Sequence, residues 1–468
     1  MFKLDKIQIS NADVLPIIEG GKGINVSTGL TAGNFAKCGA VGTISGTNPD
    51  FLDSEGNVLR YIFDENMTRK EKFQRLVEYS IAGGIDQAKI AYDVASGNGR
   101  IHMNFLWEAG GTSQIIDEVL SGVKGLIHGI TCGAGLPYSL SDIAAKHKVY
   151  YYPIISSARA FKILWLRSYN KVAELLGGVV YEDPWLAGGH NGLSSKEDPK
   201  IPQDPYERIV DLRSSLNSLN LSHVPIIMAG GVWNLKEWER YIDNKDVGLL
   251  AFQFGTRPLL TQESPISDAY KQALLNVDDG GVSLHNFSPT GFYSSAIRNP
   301  FLIKLEERSA RQMKVSRRAN EEFTKQIPSG NGITNFYVQE VDYPRAMGYI
   351  SEGLDTLLKT PDDTVIFVKQ ADADQIRKDQ VGCMGCLSHC RFSGWCDKEE
   401  KNNTTGSLPD PRSFCIEKTL QDVGHGGSVQ DNLVFSGHHA YRFKHDPMYK
   451  NGYIPSIQEL VNAIMKGD

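Results

Sequence analysis

Three short glycine segments contain the residues of this sequence best suited to chemistry. AGGHNG spans residues 187–192, MAGGVW spans 228–233 and FQFGTR spans 252–257, and each is preceded by apolar residues. Glycine lets backbone amides approach a ligand with no side chain in the way. The first segment also places His190, whose imidazole titrates near neutral pH, in such a turn. The order of the segments predicts a proton-transfer histidine one strand before two turns that suit a phosphate.

Eight short apolar or β-branched runs must position these segments. Segments with helical periodicity lie between the runs, among them 68–83, 157–176 and 234–244, the last with a capping box from Asn234 to Glu237. Eight strand–helix units within residues 1–275 predict an α/β fold, a (β/α)8 TIM barrel. A doubly wound sheet would place its glycine fingerprint after the first strand. The predicted strands are 14–18, 40–44, 101–106, 123–130, 149–155, 177–181, 224–229 and 247–254.

The turns after the last two predicted strands favour phosphate binding. Gly230–Gly231 and Gly255–Thr256 offer free backbone amides, in the loops where barrels commonly hold phosphate. Ordinary strand-to-helix turns are the alternative. The glycine-rich turn 19–27 after the first strand can pack bare backbone against a flat ring. Asn104, at the end of the third strand, can hydrogen-bond the edge of a heterocycle, although such an asparagine is more commonly a turn residue.

The strand–helix alternation ends near residue 275. Residues 276–380 are interpreted as an insert or lid that is partly helical, in which 306–327 predicts a charged helix and 288–301 a loop over the barrel mouth. Residues 381–468 are interpreted as a mainly helical extension that carries a cysteine cluster.

Cysteines are concentrated in this extension. Five of the seven lie between residues 383 and 415, in the pattern C-x2-C-x3-C-x5-C followed by Cys415. In a reducing compartment, such a group is more typical of metal binding than of disulfides. Zinc and an iron–sulfur cluster both take four ligands, and spacing alone favours Cys396 as the fourth.

Composition excludes some other functions. A net charge of -6 argues against a dedicated nucleic-acid-binding protein. The sequence contains neither a signal-peptide pattern at its start nor an apolar run of membrane-spanning length. We therefore expect a cytoplasmic protein with no membrane partner.

Several motifs resemble the nitronate monooxygenase (2-nitropropane dioxygenase) superfamily of FMN-dependent (β/α)8 flavoproteins. They are PIIEGGKGINVS, CGAGLP, PIISSARA, AGGHNG, PIIMAGG and FQFGTR, between residues 16 and 257. The cysteine block, FCIEKTL around Cys415 and VFSGHHAYR near the end are similar to the iron–sulfur branch, the FabX-like acyl-carrier-protein dehydrogenase/isomerases. With that branch the resemblance extends over nearly the whole chain.

The resemblance implies roles for individual residues. It makes His190 the catalytic base near the flavin and Cys383, Cys386, Cys390 and Cys415 the ligands of a [4Fe–4S] cluster, with zinc as the second choice. Lys22 departs from the family pattern, which usually has methionine there. The FMN contacts that the resemblance implies are Gly20, Gly21, Lys22, Gly23, Asn104, Gly188, Gly189, Gly230, Gly231, Gln253, Gly255 and Thr256.

These roles predict an oxidoreductase acting on a carbon acid. His190 removes a proton from a substrate acidified by a carbonyl or nitro group, while FMN accepts a hydride. We expect an acyl thioester on coenzyme A or an acidic carrier protein attracted by the basic run 308–318, with molecular oxygen as one acceptor, and a homodimer. The alternatives are an alkyl nitronate substrate, NAD(P)H-dependent enoyl reduction and flavin binding without catalysis.

Overall fold

A closed barrel of eight parallel strands forms the centre of the computed structural model, which describes residues 4–59, 61, 64, 66–328, 336–398 and 408–468. The barrel closes where Phe252 pairs with Ile17. The predicted TIM barrel is confirmed. Its strands are β1 (Ile17–Glu19), β2 (Val41–Ser45), β3 (Arg100–Leu106), β4 (Gly129–Gly133), β5 (Tyr150–Ile155), β6 (Val179–Glu182), β7 (Ile226–Ala229) and β8 (Leu250–Phe254).

Helices surround the barrel. The first long one begins at a capping box, because the Thr68 hydroxyl accepts from the Glu71 amide and the Glu71 carboxylate accepts from the Thr68 amide. The helices are α1 (Gly29–Lys37), α2 (Arg69–Ala95), α3 (Thr112–Gly122), α4 (Leu140–His147), α5 (Ala158–Arg167), α6 (Pro205–Ser218), α7 (Asp268–Leu275), α8 (Pro300–Ala310), α9 (Tyr343–Ser351), α10 (Gln370–Val381), α11 (Ile416–Gly424) and α12 (Ile457–Met465). None of the described helices is long and apolar enough to cross a membrane.

The predicted helix at 234–244 is wrong. The Asn234 side chain does accept from the Glu237 amide at 3.1 Å, but only a 3-10 turn, Lys236–Trp238, follows. Trp238 and Tyr241, three residues apart, both turn into the core with ring centroids 4.8 Å apart. A spacing of three suits a 3-10 turn, where such side chains lie one above the other.

The predicted helix at 157–176 is shorter in the structure. Helix α5 ends at Arg167, and two 3-10 turns follow at Tyr169–Lys171 and Ala173–Leu175.

The predicted charged helix at 306–327 is also wrong. Helix α8 ends at Ala310, and short strands follow at Gln312–Lys314 and Lys325–Ile327. Two of its arginines are engaged with the backbone: Arg308 donates to the Ser413 carbonyl at 2.6 Å and Arg311 to the Phe367 carbonyl at 2.8 Å, whereas Arg317 and Arg318 are exposed. These contacts tie the stretch to distant parts of the chain.

The segment 312–368 forms a small unit of its own. Strand Gln312–Lys314 pairs with Thr364–Val368, which pairs with Thr356–Lys359. Strand Lys325–Ile327 pairs with Phe336–Val338, and these sheets share an apolar cluster with α9. Residues 329–335 of the predicted insert, and 399–407 of the predicted extension, lie outside the described residues.

The extension packs back on the barrel. A hairpin of His389–Cys390 and Trp395–Cys396 carries two of the cysteines. The buried face of α12 joins the barrel core through Ile457, Leu460, Val461 and Ile464. The remaining described strands are Ile7–Ile9, Ala12–Val14, Phe51–Leu52, Val58–Leu59, Gly189–His190, Val282–His285 and Ser294–Ile297.

The hairpin Ile7–Ile9 and Ala12–Val14 closes the amino-terminal end of the barrel. At its turn, the Ser10 hydroxyl lies 2.9 Å from His102 Nε2 and 2.7 Å from the Tyr152 hydroxyl. All three side chains are buried, and burial lowers the pKa of His102 to about 3. This network lies far from the glycine turns at the other end of the strands, so its role is to hold the barrel closed.

Ser10→Ala tests that role. The change leaves His102 Nε2 without its hydroxyl partner, while the Tyr152 hydroxyl keeps only the bond that it accepts from the residue-10 amide. We therefore expect the free energy of unfolding to fall by about 1–3 kcal/mol. Urea denaturation measures it. Ser96→Ala is the matched control, because Ser96 has a similar left-handed backbone (φ 52° against 48°) but is exposed. An equal loss in both variants would contradict the buried network.

Candidate functional site

A cavity opens at the carboxyl ends of the barrel strands. It brings together the turn after β1, the AGGHNG segment and the FQFGTR segment, which are far apart in sequence. The residues predicted from sequence that line it are Gly21, Lys22, Gly23, Asn104, Gly188, Gly189, His190, Gly255 and Thr256.

His190 is held rigidly in the cavity wall. Gly189 and His190 form a two-residue strand that pairs with Ser294 and Ser295, inside the segment predicted to cover the barrel mouth. The Nε2 atom of His190 lies 2.7 Å from the Ser288 hydroxyl. Burial lowers the pKa of His190 to about 4. The imidazole is therefore neutral at neutral pH, which is the form that accepts a proton.

Lys22 lines the cavity as a paired cation. Its ammonium contacts the carboxylate of Glu19, and Glu19 also accepts a hydrogen bond from the Thr43 amide at 3.1 Å. Both side chains are buried. The departure from the family pattern at position 22 thus adds a charge that Glu19 neutralises.

Asn104 lies directly against the turn after β1. A Cβ atom placed on Gly21 would be 2.6 Å from Asn104 Cγ, so only glycine fits there. The asparagine side chain and the bare backbone of the turn therefore share one wall of the cavity. This is the arrangement expected for contact with a flat ring.

The turn after β8 faces open space. A Cβ atom on Gly255 would meet no protein atom within 4 Å, and the neighbouring Thr256 hydroxyl accepts from the Gly437 amide at 3.0 Å. Ser436 and Gly437, from the C-terminal extension, also line the cavity. Sequence analysis missed both, although a Ser-Gly pair before two histidines was a usable signal.

Four of the predicted cofactor residues are not among the residues that line the cavity. Cβ atoms on Gly230 and Gly231 would lie 3.0 Å and 2.6 Å from side-chain atoms of Ala187 and Leu186, so these glycines pack beneath the AGGHNG segment. The other two, Gly20 and Gln253, pack against each other. Their proposed contacts with a cofactor stay predictions.

Glu182 is a cavity residue that the sequence analysis overlooked. It ends β6 and lines the cavity. Burial and the neighbouring Asp183 raise its pKa to about 8. Its carboxyl group is therefore largely protonated at neutral pH and can donate a hydrogen bond. The sequence signal that could have identified it is an acidic residue directly after the predicted strand 177–181.

Four of the cysteines lie around one apolar region. Cys383, Cys386 and Cys390 are buried, and the partly buried Cys415 packs against the same cluster. The side chains of Cys383 and Cys390 are joined by a hydrogen bond. The pKa of Cys386 is raised, first by burial and then by the neighbouring Glu417 and Cys415. Cys386 also borders the main cavity.

Cys396 lies on the other face of its hairpin. It pairs with the exposed His389, whereas the buried Cys390 pairs with Trp395. Directly paired residues share a face of the ladder, and successive residues alternate faces. The strand register therefore places Cys396 and Cys390 on opposite faces of the hairpin, whereas the sequence spacing favoured Cys396 as the fourth ligand.

The described residues contain no group of three His, Cys, Asp or Glu side chains close enough to hold a single metal ion. A four-iron cluster is larger than one ion and separates its thiolate ligands more widely. The predicted iron–sulfur cluster, with zinc as the second choice, therefore stays a prediction.

The cavity also fits FMN, because it combines bare backbone at one wall with open space beside Gly255. Gly255→Ala tests this fit. The added methyl group meets no protein atom within 4 Å, so we expect unchanged thermal stability of the apoprotein and a loss of FMN affinity of about tenfold or more.

Fluorescence titration of the apoprotein with FMN measures that affinity. Gly348→Ala is the control, since its added methyl also meets nothing within 4 Å but lies in α9 of the small unit. Parent-like FMN affinity in Gly255→Ala would remove this turn from the cofactor site.

Comparison with known proteins identifies the family. A family model described as nitronate monooxygenase matches residues 5–337. Two solved structures are similar in fold: FabK from Thermotoga maritima (TM-score 0.50, 13% identity, 97% of this chain and 92% of that one) and the enoyl reductase domain of MlnA from Bacillus amyloliquefaciens (0.51, 12%, 97% and 93%). No curated protein matched the sequence. Because the family model spans more than half of the chain, this protein belongs to the nitronate monooxygenase family of FMN-dependent oxidoreductases.

Proposed function

We propose that this protein oxidises an acyl thioester, with His190 as the base that removes the proton next to the carbonyl. The observation that carries the proposal is the neutral, buried His190 in the same cavity as the glycine turns suited to FMN. The cavity walls also include apolar side chains that suit an acyl substrate, among them Leu106, Ile154 and Leu387. An alkyl nitronate is smaller and needs less of this surface.

The chain's own residues supply the proton chemistry. FMN, when bound, provides the acceptor for the hydride that leaves the substrate. We assign the tautomer in which Nε2–H of His190 donates to the Ser288 hydroxyl, so that the lone pair of Nδ1 takes the proton from the carbon next to the thioester. Glu182, protonated at neutral pH, gives the cavity a hydrogen-bond donor that remains neutral beside the cofactor.

The carrier-protein form of the substrate has weaker support than the thioester itself. Of the basic run in 308–318, Arg308 and Arg311 are engaged with backbone carbonyls. Lys314, Arg317 and Arg318 are exposed and stay available to attract an acidic carrier. Coenzyme A thioesters are therefore included in the test beside carrier-bound ones.

Anaerobic bleaching of the flavin tests the function. We expect a decanoyl thioester to bleach the parent, and His190→Ala to retain FMN while bleaching about 10²–10⁴-fold more slowly. Because the pKa of His190 is lowered to about 4, the parent rate should fall as the pH drops through that value. The plateau above it should extend to about pH 8, where Glu182 ionises and its hydrogen-bond donor is lost.

Two other reagents complete this experiment. Bleaching by an alkyl nitronate, with none by the thioester, would replace the proposal with nitronate oxidation. Bleaching by NAD(P)H alone would favour enoyl reduction. An unchanged thioester rate in His190→Ala would remove His190 as the base.

We further propose that Cys383, Cys386, Cys390 and Cys415 hold a [4Fe–4S] cluster. Their shared apolar surroundings support this, as does the resemblance of the extension to the iron–sulfur branch. Such a cluster forms in a reducing compartment, consistent with the cytoplasmic location that we infer. Cys386 lines the flavin cavity, so a cluster held by these cysteines would lie beside it.

Two serine variants test the ligand set. We expect Cys415→Ser to lose most of the iron and the brown absorbance, and Cys396→Ser to keep both, because Cys396 faces away from Cys390. Iron analysis and absorbance of anaerobically purified protein measure this. The reverse pattern would restore Cys396 as the fourth ligand, and zinc without iron in the parent would overturn the cluster.

A further inference from the structure

The ion pair of Lys22 and Glu19 presents its positive end to the flavin cavity. Lys22 lines the cavity, whereas Glu19 is not among the lining residues and its side chain is fully buried. Among the described residues that line the cavity, Lys22 is the only lysine or arginine. The other basic residue there, His190, is neutral because burial lowers its pKa to about 4. At neutral pH the described cavity wall therefore contains one cation.

Both members of the pair are held in place by the backbone. Lys22 follows Glu19 by three residues in the turn after β1, and the Lys22 amide donates to the Ser27 hydroxyl at 2.8 Å. The Glu19 carboxylate accepts from the Thr43 amide at 3.1 Å. A buried ion pair is commonly no more stabilising than apolar side chains of similar size. Stability alone therefore does not account for two charges at this position.

Oxidation of the substrate creates a negative charge in this cavity. As the carbon–carbon double bond forms, the proton next to the carbonyl passes to His190. The adjacent carbon releases a hydride, whose two electrons and proton go to the neutral flavin ring and leave it with one negative charge. The imidazolium of His190 offsets that charge only until it releases its proton to water, which its lowered pKa favours. A buried charge is costly without a partner, and Lys22 is the partner that remains.

We propose that Lys22 tunes the redox potential of the flavin: its ammonium stabilises the reduced, negatively charged ring, and Glu19 balances the ammonium while the ring is oxidised. This inference rests on the proposed function, because the hydride comes from the substrate of that reaction. The flavin is then reduced more easily than it would be with methionine at position 22, the residue usual in the family. A more easily reduced flavin suits the removal of a hydride from a carbon that no carbonyl activates directly.

The midpoint potential of bound FMN tests the inference, measured by anaerobic reductive titration of the holoprotein beside a redox dye. Lys22→Met leaves Glu19 unbalanced and should weaken the binding of reduced relative to oxidised FMN about tenfold or more, which lowers the potential by about 30 mV or more. Glu19→Gln leaves the ammonium unbalanced and should raise the potential. General destabilisation cannot move the potential in both directions.

The double variant Lys22→Met/Glu19→Gln removes both charges and leaves neither group unpaired. Its potential should still lie below that of the parent, because the cation at the cavity is gone. Lys271→Met is the matched control, since Lys271 is also a buried lysine but lies on α7 and does not line the cavity. A double variant with the potential of the parent, or an equal fall in Lys271→Met, would refute the redox role.

Sulfite separates this inference from the proposed function. The lone pair of its sulfur forms a bond to the oxidised flavin ring with no leaving group, so the ring gains negative charge without any substrate. We expect sulfite to bind about tenfold more weakly to the double variant, and equally well to Lys271→Met and the parent. This pattern without flavin bleaching by any thioester would refute the function but keep the role of Lys22. Unchanged sulfite affinity with altered thioester affinity would make Lys22 a substrate-binding residue and overturn the inference.

Discussion

The hydrogen bond from the Gly437 amide to the Thr256 hydroxyl ties the C-terminal extension to the last barrel turn, and the whole site depends on this approach. A Cβ atom on Gly188 would lie 2.6 Å from the Gly437 nitrogen, so three segments meet there with no room for side chains. The His438 amide adds a bond to the Leu186 carbonyl at 3.2 Å. The glycines of AGGHNG are therefore needed for packing between backbones as well as for a ligand. Backbone bonds of the same segment to the strand Ser294–Ile297, including Ser436 to the Ser295 carbonyl at 3.3 Å, hold Phe435 and Ser436 in the cavity wall.

The barrel could be predicted from sequence because its strands are buried on both faces, and such strands appear as short apolar runs. All eight predicted runs overlap a barrel strand. The least accurate is 123–130, because β4 spans Gly129–Gly133 while Val123–Leu126 closes the turn after α3. The small and polar residues of β4 give a weak strand pattern, so the more apolar residues that precede it were included in the predicted strand. Helix α2 was predicted over 68–83 from its helical periodicity, which is local, whereas its extension to Ala95 depends on packing.

The parts that sequence could not predict depend on contacts between distant residues. The charge pattern of 306–327 does not distinguish a solvated arginine from Arg308, whose carbonyl partner at Ser413 lies 105 residues away. Cys396 has the better spacing, but pairing within its hairpin turns it from the other thiols. Ser436 and Glu182 belong to the cavity only because the extension and β6 meet at the barrel mouth. In each case the sequence pattern was read correctly, but the distant residue that it contacts could not be identified from the sequence.

Helix α11 joins the cysteines to the flavin cavity. Cys415 directly precedes the helix, and Ile416 and Leu420 line the cavity. Residues 416 and 420 are four positions apart and therefore lie on one helical face. A cluster held by Cys415 would therefore also fix this part of the cavity wall. Loss of such a cluster would disturb the cavity even if no electron passed through it, so a fall in activity alone cannot assign it an electron-transfer role.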